Sequence, residues 1–234
     1  IEINAPLKAA SVAPDAVEEY LLYQTLVGAW PISAVRLEAY LEKALREGKR
    51  TTSWVDQNTA WEDDVKAFAR AVVDHEPFLD DFLPFAERVA EAGHASAMAQ
   101  TLLKLTVPGI PDIYQGDELV TLSLVDPDNR REVDWDRRRR ALGKGPDPDP
   151  KSAEKLRLIV TALGLRRDRP EVFEGSYQPL EAGPDVCAFV RGGEVLAVAV
   201  LREAGQDAEV DVPWMGPTRV RDLTDGRSYA LVAR

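Results

Sequence analysis

The spacing of apolar residues changes once along this chain of 234 residues, close to Pro170. Before that point, apolar residues recur every three or four positions, as they do in amphipathic helices. After it, short apolar runs alternate with turn signals, which is typical of an antiparallel sheet. The pattern predicts an α+β fold, with a mostly helical part at residues 1–172 and an all-β domain at residues 173–234.

Helical spacing is clearest in the first half of the chain. An apolar series begins at Leu37 and ends at Gly48. Thr59–Glu62 has the form of a capping box, in which a hydroxyl and a carboxylate satisfy free backbone amides. One apolar stripe follows this box, and a second follows Pro77, which suits a first helical turn. The stripes are Trp61, Val65, Phe68 and Val72, then Phe78, Phe82, Phe85 and Val89.

Further helices are expected on either side of a connector. One runs from about His94 to just before Pro108. Residues 143–150 are rich in Pro, Gly and Asp, and they predict a linker. Asp149 and Pro150 then open a helix that ends near Arg167.

The last third of the chain predicts short strands joined by turns. Gly192-Gly193 suits a two-residue hairpin, and Asp225-Gly226 suits a second turn. Together these signals predict a small antiparallel sandwich or barrel. The predicted strands are Val186–Arg191, Glu194–Leu201, Ala208–Val212, Arg219–Leu223 and Ser228–Val232.

One apolar run in the middle of the chain ends abruptly in polar residues. Ile110–Tyr114 is predicted to be a buried strand, and Gln115–Glu118 then begins a long loop. Farther along this loop, Asp126–Arg131 carries two acids, an amide and two adjacent guanidinium groups. A buried strand that ends in such groups can deliver sugar-binding side chains to the mouth of a barrel. A helix, a strand and a helix make one unit of a larger parallel sheet or barrel, so we expect the remaining strands to lie elsewhere.

Composition narrows the class of partner. The net charge of −11 disfavours nucleic acid and anionic membranes, and a neutral substrate fits better. No run approaches the ~20 apolar residues that a membrane helix needs. Cys187 is the single cysteine, which excludes an internal disulfide and favours a reducing, cytoplasmic location. Neither a metal nor a cofactor is expected, since His75 and His94 lack ligand partners at metal spacing. The first residue is Ile1, so we expect a piece of a longer protein.

Several motifs resemble one enzyme family. Ile110–Glu118 is similar to the eighth strand of the (β/α)8 barrel in the α-amylase family, and Asp126–Arg131 resembles the loop after that strand. Glu19–Pro31 and Thr51–Trp54 resemble segments of the malto-oligosyltrehalose synthases within that family, as does Ser123–Val125. On this resemblance, residues 1–172 are the C-terminal portion of the catalytic barrel with a helical insertion, and a β-sandwich follows.

The resemblance implies an isomerase, a (1→4)-α-D-glucan 1-α-D-glucosylmutase of trehalose biosynthesis. Such enzymes convert the reducing-end α-1,4 bond of a maltodextrin into an α,α-1,1 bond, giving a maltooligosyl trehalose. The family's catalytic acids lie on earlier barrel strands, so they are expected before Ile1 and no catalytic residue is assigned here. The implied partners are the maltodextrin and the remainder of the barrel, and this chain alone is expected to be inactive.

Seven residues are the candidates for substrate binding. Tyr114 could stack on a sugar face, and a tyrosine in the core at the barrel rim is an equal alternative. Arg131 could bridge a carboxylate and a sugar hydroxyl, although a purely structural ion-pair network remains open. Trp54 follows a Thr-Thr-Ser run in a loop and could be a sugar platform. The other candidates are Gln115, Glu118, Asp128 and Asn129.

Two other functions remain open. Another α-amylase-family glycoside hydrolase, such as an amylase or a trehalohydrolase, would share the 110–118 and 126–131 motifs but not the segment from Tyr20 to Leu26. A non-catalytic carbohydrate-binding module would need an exposed aromatic face on the β domain. The aromatic residues there are few and scattered, which argues against it.

Overall fold

The computed structural model describes residues 1–8, 13–143, 145 and 147–234. Contacts divide the chain into two compact units. Unit one comprises residues 1–90 and 122–132, and unit two comprises residues 91–121 and 133–234. The predicted connector at 143–150 falls partly on residues 144 and 146, which lie outside the described residues.

Unit one is helical. It contains α1 (Ala16–Ala29), α2 (Ala34–Gly48), α3 (Thr59–Val73) and the first half of α4 (Glu76–Thr106), with short 3-10 helices at Glu2–Lys8 and Asp128–Arg130. The apolar stripes predicted for α2 and α3 are confirmed, because their buried faces meet in one core. That core includes Leu22, Leu26, Leu37, Leu41, Val65, Phe68, Val72, Phe78 and Phe82.

The predicted capping box of α3 is wrong. Asn58 precedes the helix, and its side chain accepts a hydrogen bond from the amide of Trp61. Thr59 is already the first helical residue, and Glu62 turns its carboxylate to Arg46 and Thr52. Asn is a strong N-cap residue, and the ion pair competes for the carboxylate that the box would have used. A true capping box opens α1, where the Asp15 and Glu18 side chains each accept from the other's backbone amide.

Two predictions for α4 also need correction. The separate helix from His94 does not exist, because α4 runs without a break through Gly93 for 31 residues. One glycine costs a helix only about 1 kcal/mol, and good helix formers surround this one. Phe85 is 45% exposed, while Ala86 is buried in the stripe instead. Either position could continue the stripe from Phe82, since neighbours three and four residues apart share a helix face.

The segment Ile110–Tyr114 is not a buried strand in this chain. It has no ladder partner within the described residues, and the side chain of Ile110 is 97% exposed. A strand needs a neighbour to pair its backbone groups, and sequence period alone does not supply one.

Unit two combines helices with antiparallel sheet. Its helices are the second half of α4, α5 (Trp135–Gly143), α6 (Pro150–Asp168), α7 (Pro170–Glu174) and α8 (Val220–Thr224). Asp149 caps α6 as predicted. The α5 helix was not predicted, because it is mostly charged and lacks apolar spacing.

The sheets have a simple antiparallel order. The strands β1 (Tyr177–Leu180), β2 (Val186–Arg191), β3 (Val195–Val200) and β6 (Tyr229–Ala233) pair in the order β1-β2-β3-β6. The strands β4 (Glu209–Val212) and β5 (Gly216–Arg219) form a second sheet, and one core contains residues of both sheets. This confirms an antiparallel domain with a turn at Gly192-Gly193, where both φ angles are positive.

One predicted strand is wrong. Residues 219–223 belong mainly to α8, and β5 ends where that prediction began. Val220 and Leu223 are three residues apart, and both contribute to the core from one helical turn. Within the described residues, no helix has the length and apolar character needed to cross a membrane.

Candidate functional site

Residues 122–132, here called the Asp128 loop, are fastened to α2. Arg36 donates from Nε and Nη2 to the two carboxylate oxygens of Asp128, both at 2.8 Å. The same Nη2 donates to the carbonyl of Leu122 at 2.7 Å, and Lys43 donates to the carbonyl of Asp126. Arg36 and Lys43 are seven residues apart, so they lie on one face of the helix. The shape of the loop therefore depends on two cations of α2.

The side chain of Asp128 is only 8% exposed. Besides Arg36, its carboxylate accepts from the amide of Leu124 at 2.8 Å and lies 3.1 Å from Nε of Arg131. The Arg36 hydrogen bonds lower the pKa of Asp128 to about 2, although burial opposes the shift. Asp128 is thus charged at neutral pH, and its oxygens face protein donors on several sides.

Arg131 and Asn129 each keep some hydrogen-bonding capacity that the protein does not use. Arg131 donates to the backbone carbonyl of Asp128 at 2.9 Å and to Oγ of Ser123 at 3.2 Å. Nearly half of its side chain remains exposed. In the part of the chain that the structure describes, the side-chain oxygen of Asn129 is enclosed and accepts no hydrogen bond. A hydroxyl-rich ligand could use the exposed guanidinium of Arg131, since a sugar hydroxyl accepts as well as donates, whereas the enclosed oxygen of Asn129 is out of its reach.

Trp54 is held by a different part of α2. Its ring is 52% exposed, and the guanidinium of Arg46 lies 4.9 Å from the ring centroid. Arg46 is itself bound to Glu62 through Nε at 3.0 Å and Nη2 at 2.7 Å. Glu62 is buried, and Arg46 is the main cause that lowers the pKa of this carboxyl. Arg46 follows Arg36 by ten residues, or about 15 Å along the helix axis, so α2 supports both candidate groups.

Tyr114, Gln115 and Glu118 lie in unit two on one tight turn, here called the Tyr114 turn (residues 113–119). The amide of Asp117 donates to the carbonyl of Tyr114 at 2.9 Å, which closes the turn at Gly116. Gly116 has a φ of +89°, and an added Cβ would lie 3.2 Å from the Arg138 guanidinium. The positive φ favours glycine here, and an added Cβ would also require neighbouring side chains to shift by a few tenths of an ångström.

Two cationic side chains hydrogen-bond to the backbone and the acidic side chains of this turn. Arg138 donates to the carbonyl of Gly116 and, at 3.1 Å, to the carboxylate of Glu118. Lys155 donates to Asp117 at 2.8 Å and to the carbonyl of Leu119 at 3.3 Å. Tyr114 is 52% exposed, and Gln115 is exposed beside it. The turn is held rigidly while its aromatic and amide side chains face outward.

The seven candidates thus fall into three groups. Asp128, Asn129 and Arg131 share one loop in unit one, Trp54 lies elsewhere in that unit, and the other three share the Tyr114 turn. Within the described ranges, no three His, Cys, Asp or Glu side chains cluster in a way that could hold a metal ion.

Comparison with known proteins points to the same enzyme family as the sequence motifs. No family model matches the chain. Over 207 residues, it is 44% identical to a putative maltooligosyl trehalose synthase of Mycobacterium tuberculosis (strain H37Rv), and equally to that of strain CDC 1551 / Oshkosh. These alignments cover 83% of this chain and 26% of each relative. The chain is a homologue of part of the maltooligosyl trehalose synthases.

Solved structures agree with this homology. The maltooligosyltrehalose synthase from Arthrobacter ramosus superposes with a TM-score of 0.83 at 32% identity, and a mutant of it superposes with 0.84 at 34%. Each comparison covers 99% of this chain and 34% of the solved one. The chain therefore spans between a quarter and about a third of the length of these synthases, and nearly all of it shares their fold.

Sequence reasoning missed the residues that support the candidates. Arg36 lies 92 positions from Asp128, and Arg138 lies 20 positions from Glu118. Arg138 belongs to a run of four consecutive arginines, Arg137–Arg140, and its side chain is mostly buried against the turn. No local signal marks any of these cations, apart from the helical spacing of Arg36 and Lys43.

Proposed function

We propose that this chain is part of an intramolecular glucosyl transferase that converts maltodextrins into maltooligosyl trehaloses. The observation that carries the proposal is the 44% identity with the mycobacterial relatives named maltooligosyl trehalose synthase. The fold shared with the Arthrobacter ramosus enzyme over 99% of this chain supports it. In this proposal, residues 1–172 are the C-terminal portion of a (β/α)8 barrel, in which residues 110–114 would become the last strand only by pairing with a strand from outside this chain. Residues 173–234 form a β-sandwich.

The reaction would proceed with retention through a covalent glycosyl-enzyme. One carboxylate attacks the anomeric carbon, and a second carboxylic acid protonates the oxygen of the α-1,4 bond as that bond breaks. The released glucose turns over within its subsite, and its own anomeric hydroxyl attacks the intermediate. The second carboxylate then takes the proton of that hydroxyl. Both catalytic carboxylates belong to parts of the protein outside this chain.

The chain's own contribution would be to bind the sugar and exclude water. The half-exposed ring of Tyr114 can stack on a glucose face, and Gln115 can hydrogen-bond a hydroxyl. In unit one, taken by itself, Arg131 can donate to a sugar hydroxyl while Asp128 holds its guanidinium in place. Water exclusion is essential, because water that reached the intermediate would give hydrolysis in place of transfer.

Product analysis tests the reaction type. The full-length protein that carries this sequence is incubated with maltopentaose, and reducing ends are titrated while products are separated by chromatography. We expect reducing ends to disappear without a matching release of glucose. A net gain of reducing ends would instead support an amylase-type hydrolase. Unchanged maltopentaose, bound but not converted, would support a carbohydrate-binding module.

A further inference from the structure

The most unusual buried group in unit two is Arg191, at the end of β2. Its side chain is only 2% exposed. In the described part of the chain, no carboxylate is among the hydrogen-bond or electrostatic partners of its guanidinium, and its Nε atom lies buried without a hydrogen-bond partner. Burial lowers the pKa of this guanidinium, and the nearby charge of Arg166 lowers it further. A buried charge without a counter-ion is costly, and an apolar side chain of similar volume often stabilises a fold more.

Backbone carbonyls take the place of a counter-ion. Arg191 donates from Nη1 to the carbonyl of Thr106 at 2.7 Å and from Nη2 to the carbonyl of Phe173. Thr106 is the last residue of α4, and Phe173 lies in the last turn of α7. Helix C-termini present unpaired carbonyls and a partial negative charge, so they attract a cation.

A second arginine binds the same backbone. Arg166 of α6 donates to the carbonyl of Leu105 at 3.0 Å and to the carbonyl of Gly109 at 2.6 Å. The guanidinium carbons of Arg166 and Arg191 lie 4.8 and 5.7 Å from the centroid of the same Phe173 ring. Arg166, Phe173 and Arg191 are here called the arginine clamp. Its two arginines bind three backbone carbonyls, those of Leu105, Thr106 and Gly109.

This backbone leads directly into the Tyr114 turn. Residues 110–114 pair with no strand in the described chain, so their course depends on how their two ends are held. The far end is fixed at Gly116 and Leu119 by Arg138 and Lys155. The near end is fixed by the arginine clamp.

We propose that the arginine clamp positions Tyr114 for the sugar by fixing the backbone at residues 105–109. The inference rests on the proposed function and extends it, because it gives the β domain a part in the reaction. Arg191 is a positioning residue, since it acts on substrate only through the segment that carries Tyr114. A loosened segment would leave the sugar less well enclosed, so water would compete with glucose for the intermediate.

Arg191→Met in the full-length protein tests this directly. Methionine keeps most of the volume and removes both carbonyl contacts. We expect faster amide hydrogen exchange at residues 107–116, a raised ratio of free glucose to trehalose-capped product, and a loss in kcat/KM on the order of tenfold. Arg191→Lys, which can still donate to one carbonyl, should recover part of each property.

A matched control separates positioning from loss of stability. Val198 is fully buried in β3, and Val198→Ala should lower the melting temperature without touching the clamp. We expect this variant to keep the wild-type product ratio and the wild-type exchange at residues 107–116. If Arg191→Met does not fold, Arg166→Met removes the more accessible half of the clamp and carries the same expectations.

The outcomes are distinguishable. Wild-type exchange at residues 107–116 in the arginine variants would overturn the clamp. Faster exchange with an unchanged product ratio and KM would overturn its link to the sugar. If the wild-type protein makes no trehalose-capped product, the proposed function fails, and hydrogen exchange still decides whether the clamp holds the segment.

Discussion

At the scale of single residues, Asp128 is a candidate binding residue whose carboxylate already accepts hydrogen bonds from the protein itself. A carboxylate offers about four acceptor positions, and donors from Arg36, Leu124 and Arg131 approach those of Asp128. Its contribution to sugar binding stays a prediction. The contacts favour a role in holding Arg131, whose half-exposed guanidinium is the better placed of the two to meet a ligand.

The pKa of Asp128 makes its role measurable. The folded value of about 2 lies below the ordinary value of 3.8, so the carboxylate stabilises the fold above pH 4. That stabilisation is lost as the pH falls through 2. We expect Asp128→Asn to lower the free energy of unfolding at pH 7 by about 2 kcal/mol. The difference from wild type should shrink between pH 4 and pH 2, which urea denaturation at a series of pH values measures.

Asp63 supplies the matched control in the same unit. It pairs with Lys66 at 3.0 Å, but its side chain is 72% exposed. Asp63→Asn should change stability by less than about 1 kcal/mol at any pH. An Asp128→Asn variant as stable as wild type at pH 7 would show that the Arg36 pair contributes nothing to the fold.

At the scale of elements, the N-cap of α3 can be tested, because sequence and structure assign it to different residues. The structure makes Asn58 the cap, whereas sequence pattern pointed to Thr59. We expect Asn58→Ala to cost about 1 kcal/mol of unfolding free energy, because the amide of Trp61 loses its acceptor. Thr59→Ala should cost less than half as much. Chemical denaturation of the two variants measures both, and a larger loss from Thr59→Ala would restore the capping box.

The β2–β3 hairpin permits a second matched pair. Gly192 and Gly193 both have positive φ, but an added Cβ at Gly192 would lie 2.7 Å from Cα of Val172, whereas Gly193 faces open space. Gly193→Ala carries only backbone strain of about 1–2 kcal/mol. Gly192→Ala adds a backbone clash that α7 must move to relieve, so its melting temperature should fall clearly further. Equal melting temperatures would contradict the close approach of α7 to this turn.

At the scale of the whole molecule, the chain spans 26% of the length of its curated relatives. The family resemblance assigns the catalytic acids to barrel strands that are not among these residues. We expect the 234-residue polypeptide by itself to convert no maltodextrin, while the longer protein does. Chromatography of maltopentaose incubations measures this, with circular dichroism to establish that the polypeptide is folded. Any trehalose-capped product from the polypeptide would show that the acids are misassigned.

The net charge of −11 also belongs to this scale. Many of the individual charges are paired, and cations such as Arg36, Arg138 and Lys155 hold the candidate residues in place. The excess of acid is compatible with an uncharged sugar as ligand.

Sequence alone determined the features that depend on neighbours along the chain. The helical period located α2, α3 and α6. The cap residue Asp149 marked the start of α6, and the glycine pair marked the turn at Gly192-Gly193. Such features follow from backbone geometry, which a few adjacent residues specify. The motifs at 110–118 and 126–131 pointed to the α-amylase family, and Glu19–Pro31 and Thr51–Trp54 pointed to the synthases within it, for the same reason, because each is a short local pattern.

The tertiary structure decided everything that joins distant residues. Arg36 meets Asp128 across 92 positions, and Arg191 meets Thr106 across 85. Whether Ile110–Tyr114 becomes a strand, and whether α4 continues through Gly93, also depends on surroundings that no local pattern contains. The physical reason is that an ion pair or a ladder bond requires two groups within about 3 Å, and packing alone brings groups so far apart in sequence to that distance.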